Sequence, residues 1–349
     1  MRILIVGQGI SGTWLSYWLL QKGASVLVLD AGKSNTASRV ASGVINPVTG
    51  RQVVTTWLAN ELLPFAEKNY TDLGNLIEIE VLRRTGILAF PPSVQMLEAY
   101  QLKMKENPAY IRSVSNVWHY AAFFEFGFGA VKIDPAYHID LSALLSGWRT
   151  VLEQKEAFRE ASFEPQKMKL ESVGLEYNGE AFDTVVYCDG LSGFQSPYWQ
   201  GLPFSFNKGE ALLAEIPGLP FDNIYKFGIT TVVPWKDGLW WIGSTYDNRF
   251  TDDAPTAAFR QKMELFLQQT LKVPYRITDH LAAIRPATID RRPFIGRHPK
   301  YPQVAIFNGM GTKGVSLAPW LGEQMANFLL QQGNIEPLAD ISRFKRAFL

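Results

Sequence analysis

An α/β chain built on two kinds of sheet is what these 349 residues predict: a doubly wound parallel sheet, and a second, mainly antiparallel sheet of α+β character. Three observations lead there. The runs 2–6 (RILIV), 25–30 (SVLVLD) and 184–188 (TVVYC) are short and nearly all apolar, as strands covered on both faces are. The first two flank a glycine turn and a stretch of helical period, which makes a βαβ unit at the very start of the chain. Further on, 211–216, 229–234 and 239–245 read as strands of an antiparallel sheet, the last two joined by a hairpin turn at Asp237 and Gly238.

Each element has its own signal. Strand 2–6 ends at Gly7, and a helix follows over 11–22, where Trp14, Leu15, Trp18 and Leu19 recur at helical spacing and Gly23 stands where a C-terminal cap belongs. The second strand ends at Asp30. Residues 31–51, rich in Ser, Thr, Asn and Gly and closing on Asn46, Pro47 and Arg51, read as a functional loop. A helix is expected over 56–70, strands over 78–90 with Gly86 as a turn or bulge, and a helix over 94–106 after the break at Pro91 and Pro92. The aromatic stretch 117–133, with Trp118, Tyr120, Phe123, Phe124, Phe126 and Phe128 beside Gly127 and Gly129, reads as a hairpin that contributes to the core. A helix over 139–152 precedes strand 184–188, which belongs beside the first two. After the antiparallel run come a helix over 256–271, a turn-rich segment over 285–297, a strand over 304–307, a glycine-rich loop over 309–314 and a helix over 319–330 with Pro319 in its first turn.

Composition narrows the function classes. The length fits about two domains. With 47% hydrophobic residues, 22 Phe, 13 Tyr and 10 Trp, the chain is a folded protein and neither disordered nor a coiled coil. A net charge of +1 provides no global field for a polyanion, so no nucleic-acid partner is expected. The single Cys188 forms no internal disulfide, and the four histidines (119, 138, 280, 298) show neither metal-ligand spacing nor a triad order, so no metal is expected. The apolar N-terminus is interrupted by Gly7, Gln8, Gly9, Ser11 and Gly12 and lacks a signal-peptide cleavage pattern, which reads as a cytoplasmic protein. No apolar run reaches the roughly 18 residues of a spanning helix.

Gly7-Gln8-Gly9-Ile10-Ser11-Gly12 fits G-x-G-x-x-G between a strand and a helix. Gly7 makes the turn, Gly9 admits a pyrophosphate to the backbone, and Gly12 lets helix and strand lie close. The pyrophosphate then faces the positive end of the helix. Eighteen positions after Gly12, Asp30 ends the second strand, where its carboxylate accepts from ribose hydroxyls and repels a 2′-phosphate. This loop by itself leaves NAD and FAD both open.

The far end of the chain discriminates. Ile284-Arg285-Pro286-Ala287-Thr288-Ile289-Asp290 runs through Pro293, Ile295 and Gly296 into Asn308-Gly309-Met310-Gly311-Thr312-Lys313-Gly314 and Leu317-Ala318-Pro319. Together with 2–30, these motifs resemble the D-amino acid oxidase family of FAD-dependent oxidoreductases, in particular its glycine- and sarcosine-oxidase-like branch. The resemblance covers both ends. Between them it is patchy, although Ser42-Gly43, Asn46-Pro47, Asp189-Gly190 and Lys208-Gly209-Glu210 keep the family's order. It implies a discontinuous FAD-binding, Rossmann-like domain (1–80, 135–200 and 280–349) and a substrate domain (81–134 and 201–279) with the active site between them. It also implies FAD held by Gly7, Gly9, Ile10, Ser11, Gly12, Asp30, Ser42, Gly43, Arg51 and Gly190, and by Gly309, Gly311, Thr312, Lys313 and Gly314 in the terminal loop. Covalently flavinylated relatives use a cysteine near that loop; none stands here, so the flavin is expected to be non-covalent.

In the resembling oxidases an arginine in the R-P context holds the substrate carboxylate, and Arg285 takes that place. A guanidinium suits the task because it donates two parallel hydrogen bonds to a planar anion. Tyr246 is a second candidate, for the same carboxylate or as cover for the pocket. Lys313 is a third, for the flavin's pyrimidine edge or oxygen activation, with a solvated surface lysine as the alternative. Met310 stands where several relatives carry histidine, so the pocket is expected to differ from theirs. The implied reaction is oxidation of the C–N bond of a small amino acid or secondary amine by hydride transfer to flavin. A flavoenzyme for a hydroxy acid or modified nucleotide and a non-catalytic flavin-binding module are the alternatives. Electron acceptor and oligomeric state stay open.

Overall fold

The computed structural model describes residues 1–50, 52–106 and 108–348. Its first sheet has six strands in the order Phe294–Arg297, Val304–Asn308, Thr184–Tyr187, Arg2–Val6, Ser25–Asp30 and Phe158–Glu160. All neighbours are parallel except the first pair. Arg2–Val6 lies at the centre with every residue after Arg2 buried, which is why the run is uniformly apolar. The chain leaves it toward Ser25–Asp30 on one side, while Thr184–Tyr187 lies on the other, so a crevice opens at the carboxyl ends of these strands.

Helices cover one face. Ile10–Gln21 lies between Leu141–Gln154 and Gly314–Leu329, and for that reason is apolar almost all round. Trp14 is fully buried and meets Tyr70 edge-on at 5.0 Å, and Trp148 donates from Nε1 to Ser16 Oγ at 2.8 Å. The other face carries a three-stranded meander, Met168–Leu170, Leu175–Tyr177 and Glu180–Phe182, packed through Leu175 and Phe182 onto Leu4, Val6 and Val185.

The second sheet has nine strands. Eight follow the order Arg276–Arg285, Asn207–Glu215, Trp240–Gly243, Thr230–Pro234, Asn223–Phe227, Leu82–Phe90, Val131–Ile139 and Val44–Ile45, with Ile111–Ser113 beside Val131–Ile139. Pairing is antiparallel except between Asn223–Phe227 and Leu82–Phe90. The strands Val131–Ile139 and Arg276–Arg285 run across the expected domain borders at 135 and 280, and Val44–Ile45 reaches this sheet from inside the first segment.

Three expectations are corrected. The aromatic stretch forms a 3₁₀ helix, Val117–Ala122, and a loop before the strand at Val131, and no hairpin. Its rings do not alternate in period two. Phe124 is fully buried against Phe90, Tyr225 and Phe227 while Trp118 is exposed, so cluster packing decides the backbone. The terminal helix begins at Gly314, which puts Pro319 in its second turn. Proline there cannot donate to the carbonyl of Val315, and Tyr70 Oη donates to that carbonyl instead, at 2.8 Å. Arg276–Arg285, finally, is a ten-residue edge strand inside a region that carried no strand signal, because a solvated edge tolerates Thr278, Asp279 and His280. Among the described residues, no helix is long and apolar enough to cross a membrane.

Candidate active site

A cavity of about 670 Å³ occupies the crevice and runs between the two sheets. Its first wall is the glycine turn. Gly7 has φ +96°, and a Cβ there would sit 2.7 Å from the carbonyl oxygen of Cys188; a Cβ on Gly12 would sit 1.9 Å from the Gly7 oxygen. Strand and helix touch through their backbones at this point. Gly9, Ile10 and Ser11 line the cavity, and Ser38 from the polar loop caps the turn by accepting from Ile10 N at 3.0 Å.

Asp30 lines the same wall. Its Oδ1 accepts from Gly32 N (2.9 Å) and Arg149 Nη2 (3.1 Å), and its Oδ2 from Gln8 N (2.7 Å). A carboxylate offers about four acceptor directions, so one remains on Oδ2 for a hydroxyl. Arg149, in the helix Leu141–Gln154, holds the carboxylate in place; nothing in its sequence position signals this, because the contact spans the parallel sheet's edge.

The opposite wall comes from the end of the chain. Gly309 and Gly311 adopt φ +80° and +54°. Asn308 Nδ2 donates to the carbonyl of Gly190 (2.8 Å), and Gly311 N donates to that of Pro286 (3.0 Å). A Cβ on Gly314 would stand 3.1 Å from Ile10 Cγ2, so the terminal helix starts against the first one. The two glycine segments thus frame one cavity, with Gly190, Gly311, Thr312 and Gly314 on its surface. Gly12, Gly43 and Gly309 stand behind the surface as points of close backbone approach, and Ser42 is on it. Arg51 lies outside the described residues.

Asp189, named in the sequence beside Gly190 but given no role there, is a further wall residue. Its Oδ1 is buried with no partner among the described residues, and burial pushes its carboxyl up to about 7. The neighbouring Cys188 thiol is likewise pushed up by burial.

Arg285 ends its strand at the cavity. Nη1 donates to Asn207 Oδ1 (2.7 Å) and the carbonyl of Thr245 (3.1 Å), and Nη2 to Ser244 Oγ (2.9 Å). All three acceptors are neutral. Of five N–H donors, two remain, one on Nε and one on Nη2. The guanidinium lies directly over Gly209, where a Cβ would meet Nη2 at 1.9 Å. Burial lowers the Arg285 pKa, with the Tyr246 phenol acting in the other direction. Tyr246 itself is 57% exposed and is not on the cavity surface. Lys313 is half-buried and is not on the surface of the large cavity; burial first, and the charge of Lys226 second, bring its ammonium down to about 8.

These features fit a flavin dinucleotide: a glycine cradle that a Cβ would fill, a carboxylate with a free acceptor direction, an unpartnered buried oxygen on Asp189, and a second glycine loop on the wall of the same cavity. Residues 2–328 match the model of the DAO family, FAD dependent oxidoreductases. The chain belongs to this family. This FAD-dependent oxidoreductase is 24% identical to glycine oxidase of Bacillus licheniformis over 98% of its own length and 96% of the relative's. Its fold is similar to that of glycine oxidase from Bacillus cereus, with a TM-score of 0.82, 16% identity and 97% of each chain covered. It is also similar to that of iminodiacetate oxidase from Chelativorans sp., with a TM-score of 0.76, 18% identity and 98% of each chain covered.

Of the residues expected from sequence, the structure brings the two glycine segments, Asp30, Ser42, Gly190 and Arg285 to one cavity and leaves Tyr246 and Lys313 off its surface. Ser38, Arg149, Asp189, Asn207 and Ser244 were missed. Ser38 and Ser244 stand in loops already marked as functional or as strand ends; Arg149 and Asn207 carry no local signal, because each acts through a partner more than 70 residues away.

Proposed function

We propose that this enzyme oxidises the C–N bond of a small amino acid or secondary amine, with the substrate carboxylate held by Arg285. One observation carries this reading: a guanidinium on the cavity wall is held by three neutral acceptors, has no carboxylate partner among the described residues, and keeps two donors free. Such a cation is a preorganised site for a planar anion. The relatives named glycine oxidase and iminodiacetate oxidase support an amine as the substrate.

FAD, when bound, supplies the two-electron acceptor for the hydride. The protein's part is orientation. Arg285 fixes the carboxylate, which leaves the adjacent carbon a defined direction, and the substrate amine, once neutral, pushes the hydride out with its lone pair. The resulting imine is hydrolysed by water. Gly7, Gly9, Ile10, Ser11, Gly12 and Asp30 would hold the adenosine and pyrophosphate; Ser42, Gly190, Gly311, Thr312 and Gly314 would lie along the flavin end. Gly43, Arg51, Gly309 and Lys313 complete the proposed cofactor set, and Tyr246 remains a proposed cover over Arg285. With no cysteine near the terminal loop, FAD is bound non-covalently and leaves with the supernatant when the protein is denatured. The parallel sheet serves the cofactor and the antiparallel sheet the substrate.

Anaerobic addition of glycine and sarcosine, among a panel of small amines and hydroxy acids, tests this. Bleaching of the flavin band by a carboxylate-bearing amine is the expected result. Bleaching only by hydroxy acids, or by nothing, overturns it.

A further inference from the structure

Lys226 is a second cation beside the substrate wall with no counter-ion among the described residues. It stands in the strand Asn223–Phe227 and lines a side cavity of about 130 Å³ that shares Ser42, Trp241 and Ser244 with the large one. The other polar walls of this side cavity are neutral: Asn46, Thr231 and the two serines. No carboxylate lines it. Among the described residues the Lys226 ammonium makes neither a hydrogen bond nor an ion pair, although the residue is half-buried and burial lowers its pKa. Lys313, also without a counter-ion among the described residues, is close enough for its own ammonium to be lowered by the charge of Lys226. Two like charges brought together half out of water raise the free energy of the site until an anion enters.

Ser244 links this cavity to Arg285. Its Oγ accepts from Arg285 Nη2 at 2.9 Å, and the same residue lines the side cavity. A substrate carboxylate on Arg285 therefore lies one side chain away from a second cationic pocket. At about 130 Å³ the pocket has room for a short carboxylate-bearing arm.

We propose that Lys226, surrounded by Ser42, Asn46 and Thr231, is a second anion subsite, and that the substrate is a small amine carrying two carboxylates, one on Arg285 and one on Lys226. This rests on the reading of Arg285 given above. Lys226 acts as a specificity residue: a monocarboxylate leaves its charge uncompensated, whereas the second carboxylate of a dicarboxylate forms a charge-assisted hydrogen bond.

The FAD-loaded protein titrated with acetate, malonate and succinate, followed by the change in the flavin's visible spectrum, tests the subsite without turnover. The better of the two dicarboxylates is expected to bind at least about tenfold more tightly than acetate. In Lys226→Met that ratio falls to near one, and Lys226→Arg keeps most of it. A ratio of one in the unmodified protein, or an undiminished ratio in Lys226→Met, overturns the proposal. Arg285→Lys separates this from its premise. If acetate binding weakens there while Lys226→Met changes nothing, the second subsite alone is wrong; if acetate binding is indifferent to Arg285→Lys, the premise is wrong. Should Lys226→Met fail to retain flavin, Thr231→Asp, which supplies an internal carboxylate to Lys226, is expected to abolish the dicarboxylate preference, and its retention counts against the subsite.

Discussion

Arg285 lies over its neighbouring strand at Gly209, where no side chain stands in its way, and donates three hydrogen bonds, to Asn207 on that strand and to Ser244 and Thr245 beyond it. Two substitutions probe that arrangement from different ends. Arg285→Lys removes the planar fork and keeps the charge, so steady-state kinetics with a carboxylate substrate are expected to show KM raised by about tenfold or more with flavin content unchanged. Gly209→Ala keeps the arginine but puts a methyl group where Nη2 lies, so the guanidinium must shift; it is expected to raise KM in the same sense, again with flavin retained. Unchanged KM in both variants would remove Arg285 from the substrate site. Lys313 makes a pH prediction. Its ammonium, lowered to about 8 by burial and by Lys226, is lost as pH rises through about 8, well below the range of an ordinary lysine. Binding of malonate, measured by the flavin spectrum, is therefore expected to weaken between about pH 7 and 9, and Lys313→Met to flatten that limb. A flat profile in the unmodified protein counts against Lys313 contributing charge to the site.

Among the elements, the first helix and the last depend on contacts that no sequence period reports. The first strand and helix approach so closely that a Cβ on Gly12 would fall 1.9 Å from the Gly7 oxygen. Gly12→Ala must push the helix off the strand and open the turn. Loss of bound flavin and a lowered melting temperature are the expected outcome, and a variant that purifies with a full flavin complement would show that the turn tolerates the shift. The terminal helix carries Pro319 in its second turn at no cost in an unpaired carbonyl, because Tyr70 donates to Val315. Tyr70→Phe leaves that buried oxygen without a donor and is expected to cost about 1–3 kcal/mol, read as a drop in unfolding free energy by denaturant titration with activity at low temperature retained.

At the scale of the whole molecule, the ends of the chain meet. Asn308 is tied to Gly190, Gly311 to Pro286, and Gly314 packs on Ile10, so residues 7–11 and the terminal loop at Met310, Gly311, Thr312 and Gly314 border the same cavity. A dinucleotide held by both, as proposed, would stabilise only the state in which they are together. Stabilisation by a ligand that binds the folded state alone is about 4 kcal/mol at a thousandfold excess over Kd. Stripping FAD and measuring thermal unfolding with and without added FAD is therefore expected to give a markedly lower Tm for the stripped protein, restored on readdition. Asp30→Ala is expected to lose most of that restoration, and an FAD-independent Tm would argue against the ligand bridging the two segments.

What the amino-acid sequence determined alone were the features that local physics imposes. Short, nearly all-apolar runs at 2–6, 25–30 and 184–187 read as strands covered on both faces, and glycines at 7, 9 and 12 between strand and helix leave room for a phosphate. The tertiary structure decided whatever depends on distant partners. The aromatic stretch near 117 winds into a 3₁₀ turn because Phe124 must reach Phe90 and Tyr225, and Arg276–Arg285 becomes a strand because Asn207–Glu215 offers it an edge. Arg149 reaches Asp30 across 119 positions, and Lys226 gains its meaning only beside Lys313 and an uncharged cavity wall. A side chain's period and propensity are written in its neighbours along the chain, whereas its charge balance and its empty space are set by residues that only folding brings near.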